Sequence, residues 1–162
     1  MKKIIDMAGR EQVFKDCLSC ALNEGKLDPF GGTIYENEYF AVLQDFEVPI
    51  DGFMIISTKR HVISLNEFSE TEKYEFIILV DKVLKALKSI GVAKEFILLQ
   101  SERSDVHFHM SLFPRHDWMG EKFGRVISNM KQIQEYAMTN MKTPENIKKI
   151  AGTCEKLKIK LN

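Results

Sequence analysis

The chain has 162 residues, a usual length for one domain and enough to bury a core without disulfides. Lysine plus arginine and aspartate plus glutamate number 23 each, and this neutral balance argues against a basic nucleic-acid-binding surface. No run approaches the roughly 18 apolar residues of a membrane span, and the start lacks the apolar core of a signal peptide. We therefore expect a cytoplasmic protein that binds neither membranes nor long nucleic acids.

The first third of the chain predicts a short helical segment followed by strands and turns. Residues 10–22 are interpreted as a helical turn that runs into Cys17 and Cys20. Turn-forming residues at 28–32, 36–38 and 49–52 separate the apolar stretches that follow. The predicted strands are 33–35, 39–45 and 53–57.

A long amphipathic helix is predicted over residues 69–90. Ser69 and Glu72 form a capping box at its start, in which each side chain satisfies a free backbone N–H of the other residue. Apolar residues then recur at helical spacing, and Gly91 can adopt the left-handed conformation that ends a helix.

Two further strands and two helices complete the prediction. The strands cover 95–100 and 106–113, and Pro114 ends the second because proline cannot continue a ladder. One helix follows the apolar pattern from Phe123 to Ile133, and the other starts at Thr143 and Pro144. This order predicts an α+β fold around an antiparallel sheet rather than a βαβ repeat.

His107, His109 and Ser111 fall on one face of the predicted strand 106–113, because side chains alternate along a strand. A polar face that merely meets water is one interpretation. Threonine or lysine would serve that purpose equally well, so two imidazoles two residues apart favour a functional role.

Cys17 and Cys20 are separated by two residues, a spacing that allows both thiolates to bind one tetrahedral zinc ion. His61 follows an apolar strand and is a candidate third ligand. A thioredoxin-like redox pair needs a βαβ context that is not predicted here. Two small buried residues are the remaining alternative.

These motifs, taken in order, resemble the histidine triad (HIT) superfamily of nucleotide hydrolases and transferases. Cys17 and Cys20 resemble the opening Cys-x-x-Cys of its zinc-binding bacterial branch, and Asp45 resembles the ribose-binding aspartate that ends a strand pair. His107-Phe-His109-Met-Ser111 lies on the His-x-His-x-His signature, followed by the frequent Pro-Arg. The stretches that carry the resemblance are 17–20, 34–45, 49–61 and 107–115.

The resemblance implies a five-stranded antiparallel sheet with helices, in a homodimer. It also implies attack by His109 on the α-phosphate of a small nucleotide or dinucleotide, giving a nucleotidyl-histidine that water hydrolyses. A neutral imidazole suits this role near pH 7. By the same resemblance Asp45 and Phe46 would bind the nucleoside, although Asp45 could also be an exposed carboxylate at a strand end.

The zinc-binding branch implies a structural zinc ion with a closed Cys₂His₂ shell. Such an ion would hold the N-terminal segment against the sheet, next to the catalytic histidine. The ligands that the resemblance implies are Cys17, Cys20, His61 and His107.

The chain departs from the family pattern at several positions. Ser111 replaces the third histidine; it can donate a hydrogen bond to a phosphate oxygen but cannot carry a positive charge. Phe53 replaces a histidine that usually follows the glycine. In the loop before the triad, Arg103 stands where glutamine is usual and Ser104 falls on the Ser/Thr position, so both are candidate phosphate-binding residues.

Residues 1–120 are predicted to form the nucleotide-binding domain, with 121–162 as a helical extension packed on it. These helices are expected to pack on the sheet or on a dimer partner, and a lid over the site is the alternative. Cys154 lies on the apolar stripe of the last helix and is interpreted as a buried thiol. His116 is either a proton donor or a solvated loop residue.

A zinc-stabilised nucleotide hydrolase or nucleotidyl transferase is the leading hypothesis, with dinucleoside polyphosphates or phosphoramidates as substrates. A nucleotide-binding module that has lost catalysis is the second, because Ser111, Phe53 and the altered loop all depart from the family. A zinc-dependent interaction scaffold is the third.

Overall fold

The computed structural model describes residues 1–102 and 106–162. A two-stranded antiparallel hairpin begins the chain, with β1 at Lys2–Ile5 and β2 at Glu11–Phe14. Helix α1 follows at Leu18–Asn23, and the Cys17 side chain accepts the Cys20 N–H at its start. The prediction of a helical turn from residue 10 was therefore wrong for 11–14, where alternation of exposed and half-buried residues favours a strand.

The central element is a five-stranded antiparallel sheet with the strand order β3-β4-β5-β7-β6, as the sequence predicted. Antiparallel pairing between every neighbouring pair of strands places side chains from three strands in rows across the sheet. The strands are β3 (Tyr35–Glu36), β4 (Phe40–Gln44), β5 (Met54–Thr58), β6 (Phe96–Leu99) and β7 (His109–Pro114).

Helix α2 spans Glu70–Ser89, and the predicted capping box of Ser69 and Glu72 is confirmed at its start. Its apolar side packs on the sheet with Phe108 and Leu112, which lie on the face opposite His109. This main core also includes Ile150, Cys154 and Leu157 from the last helix. The C-terminal helices thus bury apolar side chains within their own chain.

The C-terminal region holds three helices: α3 (Asp117–Phe123), α4 (Met130–Asn140) and α5 (Pro144–Leu161). The sequence missed α3, because its N-cap residue His116 makes no side-chain capping bond, and it began the next helix too early. Thr143 caps α5 as predicted. Among the described residues, no helix is long and apolar enough to cross a membrane.

A second, smaller core lies on the sheet face that carries His109. Phe113 follows His109 and Ser111 on that face of β7, and it packs with Phe53, Met119 and Ile133. One end of this face is therefore covered by the C-terminal helices. The other end, at His109, remains available for a site.

Candidate metal centre and nucleotide site

Cys17, Cys20, His61 and His107 come together although 90 residues of chain separate the first from the last. One potential ligand atom from each lies within 4.8 Å of all the others. The Cys20 Sγ lies 3.3 Å from His61 Nδ1 and 3.4 Å from His107 Nδ1. The two Nδ1 atoms are 3.2 Å apart. The predicted cluster is confirmed.

These spacings fit a tetrahedral metal ion. Zinc bonds of about 2.0–2.1 Å to nitrogen and about 2.3 Å to sulfur place neighbouring ligand atoms roughly 3.3–3.8 Å apart. The observed contacts of 3.2–3.4 Å lie close to that range. Two thiols and two imidazole nitrogens are also the donor set that zinc prefers over calcium or magnesium.

His107 is oriented by its second ring nitrogen. Nε2 lies 2.7 Å from the Thr58 carbonyl oxygen and 2.9 Å from the Thr58 hydroxyl, so it carries the proton that the carbonyl accepts. Nδ1 then presents a lone pair to the cluster, as expected for a metal-binding histidine with a second-shell acceptor. Burial also lowers the pKa of His107, which favours the neutral ring that a metal needs.

The Cys20 thiol is costly to ionise without a cation. Burial, and then the neighbouring Cys17, raise the pKa of Cys20 to about 12. A bound divalent ion would reverse this balance, because a coordinated thiol is deprotonated.

His109 stands at the start of β7, on the same face as a cavity of about 140 Å³. Its Nδ1 lies 3.0 Å from the His107 carbonyl oxygen. That contact requires the proton on Nδ1 and leaves a lone pair on Nε2. The backbone of a candidate metal ligand therefore sets the tautomer of the candidate nucleophile.

The cavity brings His109 together with Asp45 and Phe46. Its volume is below the roughly 300–1,000 Å³ of most ligand sites, so it suits one moiety of a ligand rather than a whole nucleotide. A larger cavity of about 690 Å³ lies elsewhere, but it contains neither His109 nor Asp45. The side chains that make the smaller cavity apolar are Leu18, Leu22, Leu43, Phe46 and Ile55.

Asp45 is a half-buried carboxylate at the end of β4. Its Oδ1 accepts the N–H groups of Glu47 and Val48 at 3.0 and 2.8 Å, which leaves Oδ2 outside this turn. Burial raises the pKa of Asp45 to about 6, against the lowering effect of those two hydrogen bonds. The carboxylate is thus ionised at neutral pH and able to accept hydrogen bonds from hydroxyl groups.

The remaining predicted residues lie in different places. Ser111 follows His109 on the same face but pairs across the sheet with Ile55 and Leu99, and it does not line the cavity. Arg103 and Ser104 lie outside the described residues.

His116 lines the larger cavity, where its Nε2 lies 2.8 Å from the Asp51 carbonyl oxygen; burial lowers its pKa. Cys154 is fully buried, as interpreted, and burial raises its pKa to about 12.

Sequence reasoning missed Ser57, a buried residue of β5 that lines the cavity beside His109. It was interpreted only as part of an apolar strand. Its position opposite His109 depends on the register between β5 and β7, and no local pattern in the sequence encodes that register.

No model of a protein family matches the chain. The fold, however, is shared with solved structures. A zinc-bound histidine triad family protein from Mycobacterium smegmatis superposes with a TM-score of 0.58 at 16% identity, over 87% of this chain and 94% of that one. The chain has the histidine triad fold.

Two further comparisons agree with this HIT fold. A hypothetical histidine triad nucleotide-binding protein from Sulfolobus tokodaii has a TM-score of 0.58 and 22% identity, over 88% of this chain and 94% of that one. In sequence, the protein hit of Bacillus subtilis is 22% identical over 117 residues, which are 69% of this chain and 79% of that protein.

Proposed function

We propose that this protein is a zinc-stabilised nucleotide hydrolase or nucleotidyl transferase of the histidine triad type. The observation that carries the proposal is the arrangement of His109. Its Nδ1 is held by the His107 carbonyl at 3.0 Å, and the residue shares a cavity with the Asp45 carboxylate. A tautomer with a free Nε2 lone pair, next to a small and mostly apolar cavity, suits attack on a phosphorus atom.

In the proposed reaction, the Nε2 lone pair of His109 attacks the α-phosphorus of a small nucleotide. A P–N bond forms while the bond from phosphorus to the leaving group breaks, and the leaving group takes the electron pair. Water then attacks the phosphorus of the nucleotidyl-histidine. A P–O bond forms, the P–N bond breaks with its electron pair returning to Nε2, and the nucleoside monophosphate leaves as the water loses a proton to solvent. Dividing the reaction into two steps lowers each barrier.

The other proposed roles are those that the resemblance to the family implies. Asp45 would accept the ribose hydroxyls through Oδ2, and Phe46 would pack against the base. Ser111 would donate one hydrogen bond to the phosphate or leaving group, with Arg103 and Ser104 binding phosphate oxygens.

We also propose that the metal is zinc, held by Cys17, Cys20, His61 and His107. The ion, when bound, would cross-link the N-terminal segment to the strand that bears His109. It would not touch the reacting phosphorus, because all four positions of its shell are taken by protein. When bound, it would contribute to catalysis by orienting the His107 carbonyl.

The test compares wild type, His109→Ala and His116→Ala on diadenosine polyphosphates and adenosine phosphoramidate. Wild type should release nucleoside monophosphate, and His109→Ala should lose at least about a thousandfold, as expected for removal of a nucleophile. His116→Ala is the matched control, because His116 lies outside the cavity, and it should retain activity. Equal release by wild type and His109→Ala would overturn the proposal.

A nucleotide-binding module without turnover is the second candidate, and Ser111 is the observation that favours it. A serine cannot supply the positive charge that a third histidine could offer to a leaving group. Saturable binding of nucleotides without turnover would support this candidate, whereas multiple turnover would exclude it.

A further inference from the structure

Ser57 lies in a row of side chains that crosses the sheet at the nucleophile. It pairs with Ala41 in β4 on one side and with His109 in β7 on the other. Directly opposite residues of antiparallel strands project to the same face, with Cβ atoms about 4.5–5.5 Å apart. The Ser57 hydroxyl is therefore on the face that carries His109, one strand away from it.

The hydroxyl is buried, and the part of the chain that the structure describes offers it no hydrogen-bond partner. Ser57 is 2% exposed, and its Oγ makes no hydrogen bond to any part of residues 1–102 or 106–162. A buried hydroxyl of this kind destabilises the free protein, and most buried polar atoms in proteins are paired. Ser57 nevertheless lines the cavity that contains His109 and Asp45.

The surroundings make the hydroxyl more informative. The cavity wall is mostly apolar, so an alanine at position 57 would fit it without leaving a polar atom unpaired. In such a wall, one hydroxyl that the fold does not use is placed to pair with a ligand.

We infer that the Ser57 hydroxyl hydrogen-bonds the nucleoside moiety of the bound nucleotide and determines specificity there. This inference rests on the proposed function. Both side chains project to the same face of the sheet, and the one-carbon side chain of Ser57 ends closer to the sheet than the longer imidazole of His109. A phosphorus atom that meets Nε2 would thus lie farther from the sheet than the serine hydroxyl, which leaves the sugar or the base to meet the serine.

The inference predicts opposite effects of one substitution on stability and on binding. Ser57→Ala removes the unpaired hydroxyl, so the free protein should melt at the same temperature or higher. The same substitution removes a hydrogen bond to the ligand, so nucleotide affinity should fall. A purely structural role for Ser57 would lower the melting temperature instead.

The experiment measures the binding of AMP, GMP, CMP and UMP to the purified chain by calorimetry, and the melting temperature without ligand. Ser57→Ala should bind the nucleotide that wild type binds most tightly about tenfold more weakly. Ser89→Ala, which removes an exposed hydroxyl at the end of α2, is the control and should match wild type in both measurements. A loss of affinity that depends on the base supports a contact between Ser57 and the base. A loss of affinity that is equal for all four nucleotides supports a contact to the sugar.

Two results would overturn the inference. One is an affinity of Ser57→Ala within twofold of wild type; the other is a melting temperature several degrees lower without ligand. In both cases wild type still binds nucleotide and the proposed function stands. If wild type itself binds none of the four nucleotides, the proposed function fails, and the inference about Ser57 fails with it.

Discussion

The imidazole of His109 shows how a single residue depends on its neighbour in the chain. Its Nδ1 proton is directed to the His107 carbonyl, while the His107 ring turns its own Nδ1 toward two cysteines. The candidate metal centre and the candidate nucleophile are therefore linked through one backbone segment. A change in the metal centre should therefore alter the orientation of the His109 ring, although the two sites do not share a ligand atom.

Removal of one thiol should release the metal. Wild type should contain about one zinc ion per chain, and Cys17→Ser should contain little, because a hydroxyl is a poor zinc ligand. The melting temperature should also fall, since metal binding contributes free energy of folding. Elemental analysis and thermal melting with and without a chelator provide the measurements.

Cys154→Ala is the matched control for the zinc prediction. Cys154 is fully buried and lies in the main core, away from the four candidate ligands. Its substitution should leave the zinc content unchanged. A wild-type protein that is fully folded, free of metal and insensitive to chelators would contradict the zinc assignment.

The ionised Asp45 carboxylate should lower the free energy of unfolding while it contributes to nucleotide binding. Its folded pKa of about 6 lies above the ordinary value of 3.8, so the ionised form is disfavoured in the folded state. The penalty is absent below pH 3.8, grows between pH 3.8 and 6, and is complete above pH 6. Asp45→Asn, which keeps an Oδ1 for the turn, should raise the free energy of unfolding at pH 7 by about 1–3 kcal/mol.

Chemical denaturation at pH 7 and pH 4 tests the Asp45 prediction. Asp81→Asn, which changes an exposed carboxylate on α2, is the control. The gain in stability for Asp45→Asn should shrink toward pH 4, and Asp81→Asn should show none. Nucleotide affinity of wild type should decrease as the pH falls through 6, because the carboxylate becomes protonated. A stability gain that does not depend on pH would contradict the role of ionisation.

At the scale of elements, one ion pair joins the loop after β5 to the start of α2. The Arg60 guanidinium donates to both Glu72 carboxylate oxygens, at 2.6 and 2.7 Å, and to the Glu67 carbonyl. Glu72 also accepts the Ser69 N–H at 2.7 Å, so one carboxylate both caps α2 and binds Arg60. Arg60 precedes His61, and this contact therefore positions the chain next to a candidate metal ligand.

Glu72→Gln should destabilise the fold by about 1–2 kcal/mol, because it removes a charge that is 6% exposed and leaves Arg60 without its partner. Arg60 holds the pKa of Glu72 at about 2, below the ordinary 4.5. The contribution is therefore fully present above pH 4.5 and is lost as the pH falls toward 2.

Urea denaturation at pH 7 and pH 3 tests the Glu72 prediction. Glu70→Gln removes the neighbouring carboxylate of an exposed ion pair with Lys73 and is the matched control, with no expected change in the urea midpoint. Equal midpoints for Glu72→Gln and Glu70→Gln would contradict the structural role of the ion pair.

At the scale of the whole molecule, β6 and α2 both present apolar side chains to solvent. β6 is an edge strand with Leu98 and Leu99 exposed at 45% and 39%, and α2 exposes Ile77 at 64% and Ile78 at 48%. An apolar edge strand is a ready site for pairing with another chain. We propose that a homodimer forms through the β6 edge and the exposed side of α2. In this dimer the β6 strands of the two chains would join their five-stranded sheets.

Ile77→Glu should convert the dimer to a monomer, because a charge would be buried at the interface. Sedimentation equilibrium of wild type and the variant provides the measurement. Ile159→Glu makes the same change on α5, where Ile159 is 83% exposed, and should leave the dimer intact. A wild-type protein that is monomeric at all concentrations would contradict the proposed dimer.

The sequence predicted those parts of the molecule that depend on local patterns. The capping box at Ser69 correctly predicted the start of α2. Alternation along 107–113 correctly assigned His109 and Ser111 to one face of the strand, and Phe108 and Leu112 to the other. The resemblance to the zinc-binding branch of the family also implied the four members of the metal cluster, and the structure brings them together. The N-terminal hairpin and α3 were missed, because four-residue strands and a helix without a capping side chain carry little local signal.

By itself, then, the sequence determined the class of fold through its local patterns. The candidate ligands and the candidate nucleophile came from the resemblance to the histidine triad family that its motifs carry. Tertiary structure alone decided which groups share a cavity. It placed Asp45 beside His109, kept His116 away from both and set Ser57 opposite the nucleophile. The physical reason is strand register: a one-residue slip would turn Ser57 to the other face, and register is set by packing across the whole sheet.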